Sequence, residues 1–192
     1  MESKCNWATV APSFYLAGVA HGFIASDAFK DVTRPSSGGE PVTKSNVVLI
    51  DKWLKMNGCK VRFSIGGGAA EDGSSTITSY LMDEKTKTNE TGFPVEPGIR
   101  AKIVDENGIV VSKGEQGILH VTSPAAADRY LDDPKATAQR WYVDEEGVRW
   151  GNMDDIAVQN IDGSYNILGR ASDSCIDKEG NIFIRHRKFI GA

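Results

Sequence analysis

The residues best placed to do chemistry lie in two short glycine-rich stretches. FSIGGGAAEDGSS, residues 63–75, sets three consecutive glycines after a short apolar run, and Glu71 follows the last of them by three positions. Glycines after a strand permit positive φ and let a ligand approach the backbone closely, and their N–H groups can line an anion site. Glu71 is then a carboxylate within reach of a metal ion or a hydroxyl. The same residues also suit a tight turn with a solvated glutamate, and composition alone leaves both open. The stretch lacks the lysine of GxxxxGK(S/T), and no helix with an apolar face follows at once, as GxGxxG in a βαβ unit demands. The second stretch, RPSSGGEPVT at 34–43, brings Ser36, Ser37, Gly38, Gly39 and Glu40 up to Pro41, where a helix is expected to start. Small residues entering a helix N-terminus suit an anionic ligand; a structural Gly-Gly turn accounts for them equally well.

These stretches must be positioned by the elements around them. Residues 13–22 read as a short helix ended by Gly22. Residues 43–57 read as an amphipathic helix, capped by Thr43 or Ser45, with Val47, Ile50, Trp53 and Leu54 inward and Gly58 as its stop. VRFSI is a β-type run into the glycines. After Gly92 the pattern changes to strands: IRAKIVD, a turn at ENG, GILHVTS, then a helical or irregular segment from Thr137 to Tyr142 behind Pro134. DIAVQN and YNILGR flank IDGS as a hairpin with an Asp-Gly turn, and SCIDKEGNIFI reads as a second hairpin. The polar run 83–92 makes a soft boundary. On residue type alone Asp155 reads as a cap or turn former and Arg170 as a surface ion-pair partner. His21 and His120 read as packed or surface side chains, Trp53, Trp141 and Trp150 as core, and the cluster Arg185–Lys188 as a solvated tail.

Bulk properties narrow the class. The chain has 192 residues, 40% hydrophobic and 25% charged, with a net charge of −4. The length is enough for one large domain or two small ones, and the acidic balance argues against nucleic acid as a partner. No apolar run approaches the roughly 20 residues of a membrane span. The mildly apolar stretch 8–20 is broken by Pro12 and Ser13 and reads as folded chain, not as a leader. Cys5, Cys59 and Cys175 are odd in number and far apart, which suits reduced thiols and a cytoplasmic location.

Taken in order and spacing, the segments resemble the superfamily of AMP-forming adenylating enzymes: acyl-CoA synthetases, adenylation domains of peptide synthetases and luciferases. RPSSGGEPVT is similar to the family's SGGAPL-type segment, and Gly66-Gly67-Gly68-Ala69-Ala70-Glu71 to its GYGxTE segment. TGFPVEPGIRAKIVDENG (91–108), KGEQGILHVTSPAAADRYLDDPKATAQRW (113–141) and WGNMDDIAVQNIDGSYNILGRASD (150–173) follow the later family segments closely. The resemblance implies an α/β fold: an α/β part of the large AMP-binding domain at 1–85, its β-rich subdomain at 86–171, and the hinge and first hairpin of the small C-terminal domain at 172–192. It also implies roles. Gly38, Gly39, Glu40, Pro41, Gly66, Gly67, Gly68 and Ala69 would line the nucleotide, and Glu71 would hold Mg²⁺. Asp155 would take the ribose hydroxyls, Arg170 the ribose or phosphate side, and Ser172 and Asp173 would form the hinge. The implied chemistry joins a carboxylic acid to ATP as acyl-AMP and passes it to a thiol such as coenzyme A.

This sequence departs from the family pattern at identifiable places. Gly67 stands where an aromatic residue would stack on adenine, Ala70 where a threonine precedes the glutamate, and Met153 and Asp154 where Thr and Gly are usual. A carboxylate at 154 disfavours nearby phosphates unless it points away. The family's lysine-bearing phosphate loop is not found here, and Lys178 and Lys188 lie too near the hinge to serve as its catalytic lysine, so no catalytic residue is assigned. The expectation is a central piece of an acid–thiol ligase, inactive alone and prone to self-association through exposed apolar surface. The alternative is a non-catalytic pseudo-enzyme or interaction module that binds nucleotide weakly.

Overall fold

The computed structural model describes residues 5–22, 27–40, 42–79, 92–95, 98–176 and 182–184. The chain divides into two compact units, Met1–Gly98 and Ile99–Ala192.

The first unit is a mixed five-stranded sheet in the order β1-β2-β3-β4-β5. Strands β1 (Trp7–Thr9), β2 (Arg34–Ser37) and β3 (Ser64–Ala69) run parallel, joined by helices α1 (Pro12–His21) and α2 (Lys44–Met56). Strands β4 (Ser74–Thr78) and β5 (Phe93–Pro94) continue the sheet antiparallel. Helix α1 starts on a proline, which suits its first turn, and stops at Gly22 in the left-handed region (φ 59°). Helix α2 starts at Lys44, not at Pro41: the Thr43 hydroxyl accepts the Asn46 N–H and defines the N-terminus. Pro41 itself lies outside the described residues, as do 83–91 and the cluster 185–188. The core of the unit is Tyr15, Val47, Ile50, Leu54, Cys59, Phe63 and Ile65. Tyr15 packs edge-on against Phe63 at 5.1 Å and donates its hydroxyl to the Ala8 carbonyl at 2.8 Å. Burial pushes its phenol up to about 12. Asp51, on α2, accepts the Phe63 N–H at 2.8 Å and so ties the helix to the entry of β3.

The glycine run is a strand, not a turn. Gly66, Gly67 and Gly68 pair with Thr78, Ile77 and Ser75 of β4, with a register shift between Gly67 and Gly68. None of the three adopts positive φ. Gly66 is a glycine because of close approach: a Cβ there would sit 2.9 Å from Ser75 Oγ and 3.2 Å from the Ile77 carbonyl oxygen.

The second unit is an antiparallel sheet in the order β10-β9-β7-β6, with β8 also paired to β9. Its strands are β6 (Arg100–Val104), β7 (Gln116–Thr122), β8 (Trp141–Val143), β9 (Arg149–Gln159) and β10 (Tyr165–Arg170). A short helix, α3 (Pro134–Arg140), is capped by Asp133 and ends where Trp141 begins β8, earlier than the expected Tyr142. The turns are built by aspartates. Asp105 Oδ1 accepts the N–H groups of Asn107 and Ile109, and Asp144 Oδ1 those of Glu146 and Val148. Strands β11 (Ser174–Ile176) and β12 (Ile182–Ile184) pair as the expected last hairpin. Leu119, Val121, Trp141, Trp150, Met153, Ile156 and Tyr165 are buried, so Trp141 and Trp150 are core residues as expected.

His120 is packed inside this unit, its Nδ1 2.8 Å from the Tyr142 hydroxyl. Burial, then the charges of Lys102 and Arg140, drive its pKa from 6.5 down to about 4. Between those values the unfolded chain takes up a proton that the folded chain refuses, so stability falls as the pH drops through the window. His120→Gln is expected to abolish about 2 kcal/mol of that loss, the full shift being reduced by partial solvent screening. Urea unfolding at the two ends of the window measures it; identical acid slopes for variant and wild type would refute it.

Candidate functional site

Parallel pairing of β1, β2 and β3 brings the two glycine stretches together. The end of β2 leads straight into Gly38 and Gly39, and these lie beside Gly66 and Gly68 of β3 in one cleft of about 660 Å³. The approach is close enough that a Cβ on Gly38 would meet the Gly66 carbonyl oxygen at 2.8 Å. Gly39 occupies the left-handed region at φ 81°, with open space where a side chain would project. Ala69 and Ala70 continue the wall. Gly67, between Gly66 and Gly68 on β3, is not among the residues that line the cleft. Among the described residues the lining is backbone, methyls and hydroxyls, with no aromatic or charged side chain. Such a wall presents peptide groups to a ligand and discriminates by shape.

One lining segment, residues 9–11, carried no signal in the sequence, and Ser75 stood only at the end of the 63–75 stretch. Thr9, Val10 and Ala11, at the passage from β1 to α1, and Ser75 of β4 line the same cleft. Their types are unremarkable, and only the pairing of β1 with β2 and of β3 with β4 places them there.

Glu71 sits half-buried in a single 3₁₀ turn, Ala70–Asp72, directly after β3, and Gly73 (φ 82°) turns the chain back into β4. Among the described residues no three His, Cys, Asp or Glu side chains come together. Glu71 would fit Mg²⁺ as one hard oxygen ligand to a cation held mainly by phosphate. Glu40 has a local task. Its carboxylate accepts the Ser13 N–H at 3.3 Å and the Ser13 hydroxyl at 3.1 Å. It thereby caps α1, whose own N-cap residue, Ala11, offers no side-chain bond.

In the second unit Asp155 and Arg170 stand opposite each other on β9 and β10. Arg170 Nη1 donates to Asp155 Oδ1 at 3.0 Å and to the Met153 carbonyl at 2.6 Å. The Asp155 side chain is 12% exposed and that of Arg170 is 49% exposed. Burial raises the Asp155 carboxyl above its ordinary value, and Arg170 opposes that rise. The pair therefore offers one nearly buried carboxylate, held in place, and a guanidinium still open to solvent on one side.

Asp154 adopts the left-handed conformation, φ 57°. Its carboxylate accepts the Ser172 hydroxyl at 2.6 Å, and its carbonyl accepts the Ala171 N–H at 2.8 Å. The acid at 154 is thus directed onto the segment leaving β10. Asp173 closes the same turn, donating its N–H to the Arg170 carbonyl at 3.3 Å.

Comparison with known proteins agrees with this architecture. A family model described as AMP-binding enzyme matches residues 1–131. The chain is 28% identical to the acyl-CoA ligase sidI of Aspergillus fumigatus, over 76% of this chain and 24% of that one. It is 27% identical to a long-chain-fatty-acid–CoA ligase of Salmonella typhimurium, over 81% of this chain and 26% of that one. Among solved structures, a long-chain-fatty-acid-CoA ligase from Archaeoglobus fulgidus superimposes with a TM-score of 0.76 at 19% identity, over 87% of this chain and 34% of that one. The anthranilate CoA ligase AuaEII, solved with anthranoyl-AMP, gives 0.74 at 23% identity, over 93% and 32%. The chain spans about a quarter of the length of the curated relatives and a third of these solved chains. With the family match extending over more than half of its residues, the chain belongs to the AMP-binding enzymes, the AMP-forming adenylating superfamily.

Proposed function

We propose that this chain is the nucleotide-binding part of an ATP-dependent acid–thiol ligase that activates a carboxylic acid as acyl-AMP and passes it to a thiol such as coenzyme A. The observation that carries this reading is the joining of the two glycine stretches in one backbone-walled cleft, in a chain of the AMP-binding family. In this reading Gly38, Gly39, Gly66, Gly68 and Ala69 pack along the nucleotide, with Gly67 and Pro41 in the same segments. Glu40 acts at one remove, by fixing α1 beside the cleft. Asp155, kept in place by Arg170, accepts hydrogen bonds from the ribose hydroxyls, and the open side of Arg170 faces anionic oxygens. Glu71 supplies one oxygen to Mg²⁺, which when bound neutralises phosphate charge. A carboxylate of the acid attacks the α-phosphorus, pyrophosphate leaves, and the thiol then displaces AMP.

The proposal extends to organisation. Residues 1–85 and 86–171 belong to the large domain, and 172–192 to the hinge, at Ser172 and Asp173, and the start of a small domain. No described helix is long and apolar enough to cross a membrane, and we place the protein in the cytoplasm. Trp7, Phe14 and Met56 of the first unit and Leu131 and Ile161 of the second are exposed, which favours self-association.

A second reading, nucleotide binding without turnover, is favoured by Gly67 and Ala70, which remove the stacking ring and the hydroxyl of the related segment. Calorimetric titration with AMP, and with ATP and Mg²⁺, tests the shared core of both readings. Binding tighter than about millimolar is expected, and Asp155→Ala is expected to weaken it about tenfold or more, the usual penalty for losing a charged hydrogen-bonding partner. No heat at millimolar nucleotide would refute both. Pyrophosphate release over a panel of carboxylic acids separates them.

A further inference from the structure

Residues 153–155 grip the exit of β10 at every position. The Met153 carbonyl and the Asp155 carboxylate both hold Arg170. The Asp154 carbonyl holds the Ala171 N–H, and the Asp154 carboxylate holds the Ser172 hydroxyl. The grip depends on the backbone at Asp154, whose φ of 57° is uncommon for a residue with a side chain. That conformation is stabilised locally by the Asn152 side chain, whose Oδ1 accepts the Asp154 N–H at 2.8 Å. A glycine would take the same backbone without strain, and glycine is usual at this place in the related segment. What aspartate adds is the bond from its carboxylate to Ser172.

We propose that Asp154 is a positioning residue, a latch that uses Ser172 to hold the segment after β10 in a fixed resting place. The two oxygens of Asp154 that face this segment bind consecutive residues, Ala171 and Ser172, so neither can swing out without breaking a bond. The turn that follows is closed by Ser174, which donates its N–H at 3.1 Å and its hydroxyl at 2.7 Å to the Ala171 carbonyl. Releasing Ser172 therefore loosens the whole stretch from Ala171 to Ser174. The functional weight of the latch rests on reading Ser172 as the hinge: the bond must break before a following domain can rotate, and its strength sets the population of the rotated state.

Hydrogen exchange of the whole chain, followed by mass spectrometry over residues 169–176, tests the latch without nucleotide. Asp154→Gly and Ser172→Ala are each expected to speed exchange there about three- to tenfold, the range for one solvent-accessible charged hydrogen bond. Ser172→Thr, which keeps the hydroxyl, is expected to match wild type. Peptides from β6 and β7 serve as the folding reference and are expected to be unchanged in all variants. Unchanged exchange at 169–176 in both Asp154→Gly and Ser172→Ala overturns the latch, as does Ser172→Thr behaving like Ser172→Ala. The nucleotide reading fails on a different measurement, the absence of heat with AMP for the wild-type chain.

Discussion

Gly117→Ala is expected to destabilise the unit that carries Asp155 and Arg170 by about 3 kcal/mol, the upper end of the usual cost of overpacking. The added Cβ would lie 2.4 Å from the Val104 carbonyl oxygen, 3.0 Å from its carbon and 2.8 Å from Ile103 Cγ2. Two of these three atoms are backbone, so no side-chain rotation relieves the clash. Strand β7 cannot shift either, because it is laddered to β6 through Ile118 and Val104 and to β9 through Gly117 and Ala157. The strands must part, and β9 carries Asp155. Urea unfolding read by far-ultraviolet circular dichroism and by the fluorescence of the buried Trp141 and Trp150 would show the unit opening at lower denaturant. A variant with the wild-type midpoint would mean that the sheet is looser at Gly117 than its register implies.

Leu54→Ala is expected to cost the first unit about 3 kcal/mol, within the usual range for emptying a buried leucine site. Leu54 is fully buried and packs with Ile50, Phe63 and Ile65, so the cavity opens between α2 and the start of β3. Gly66 and Gly68 follow on that same strand, and loss of the support beneath them is expected to weaken AMP binding as well as stability. Val48→Ala on the same helix is the control. Val48 is 54% exposed, and its truncation is expected to change stability by less than about 0.5 kcal/mol. Equal effects of the two substitutions would show that the face assigned to the core is wrong.

Much of the element order was legible because local physics determines it. Helix α2 announces itself by Val47, Ile50 and Leu54 at helical spacing behind a threonine cap, and α1 by its stop at Gly22. Strand β6 alternates apolar and polar residues, and β7, β9 and β10 are apolar-rich runs bounded by turn residues. Strands β1 and β4 were missed for the complementary reason. WAT and SSTIT are too short or too polar for alternation to register, and their extended form comes from partners far along the chain. The same holds for the glycine run, whose lack of side chains hides a strand made by pairing with β4.

The sequence by itself determined the chemical inventory and the family: two glycine stretches, Glu71, Asp155 and Arg170, in the order and spacing of adenylating enzymes. Spacing along a chain suffices for that, because each segment is recognised within a few residues. Only the tertiary structure decided what each group faces. Glu40 spends its carboxylate on the N-terminus of α1, 27 residues away. Asp154 turns its acid onto Ser172, 18 residues on. Gly38 suits glycine because the Gly66 carbonyl oxygen lies only 2.8 Å from where its Cβ would sit. These outcomes depend on which strands lie side by side, a long-range choice made by burying Ile50, Leu54 and Phe63 beneath one sheet and Leu119 and Ile156 within another.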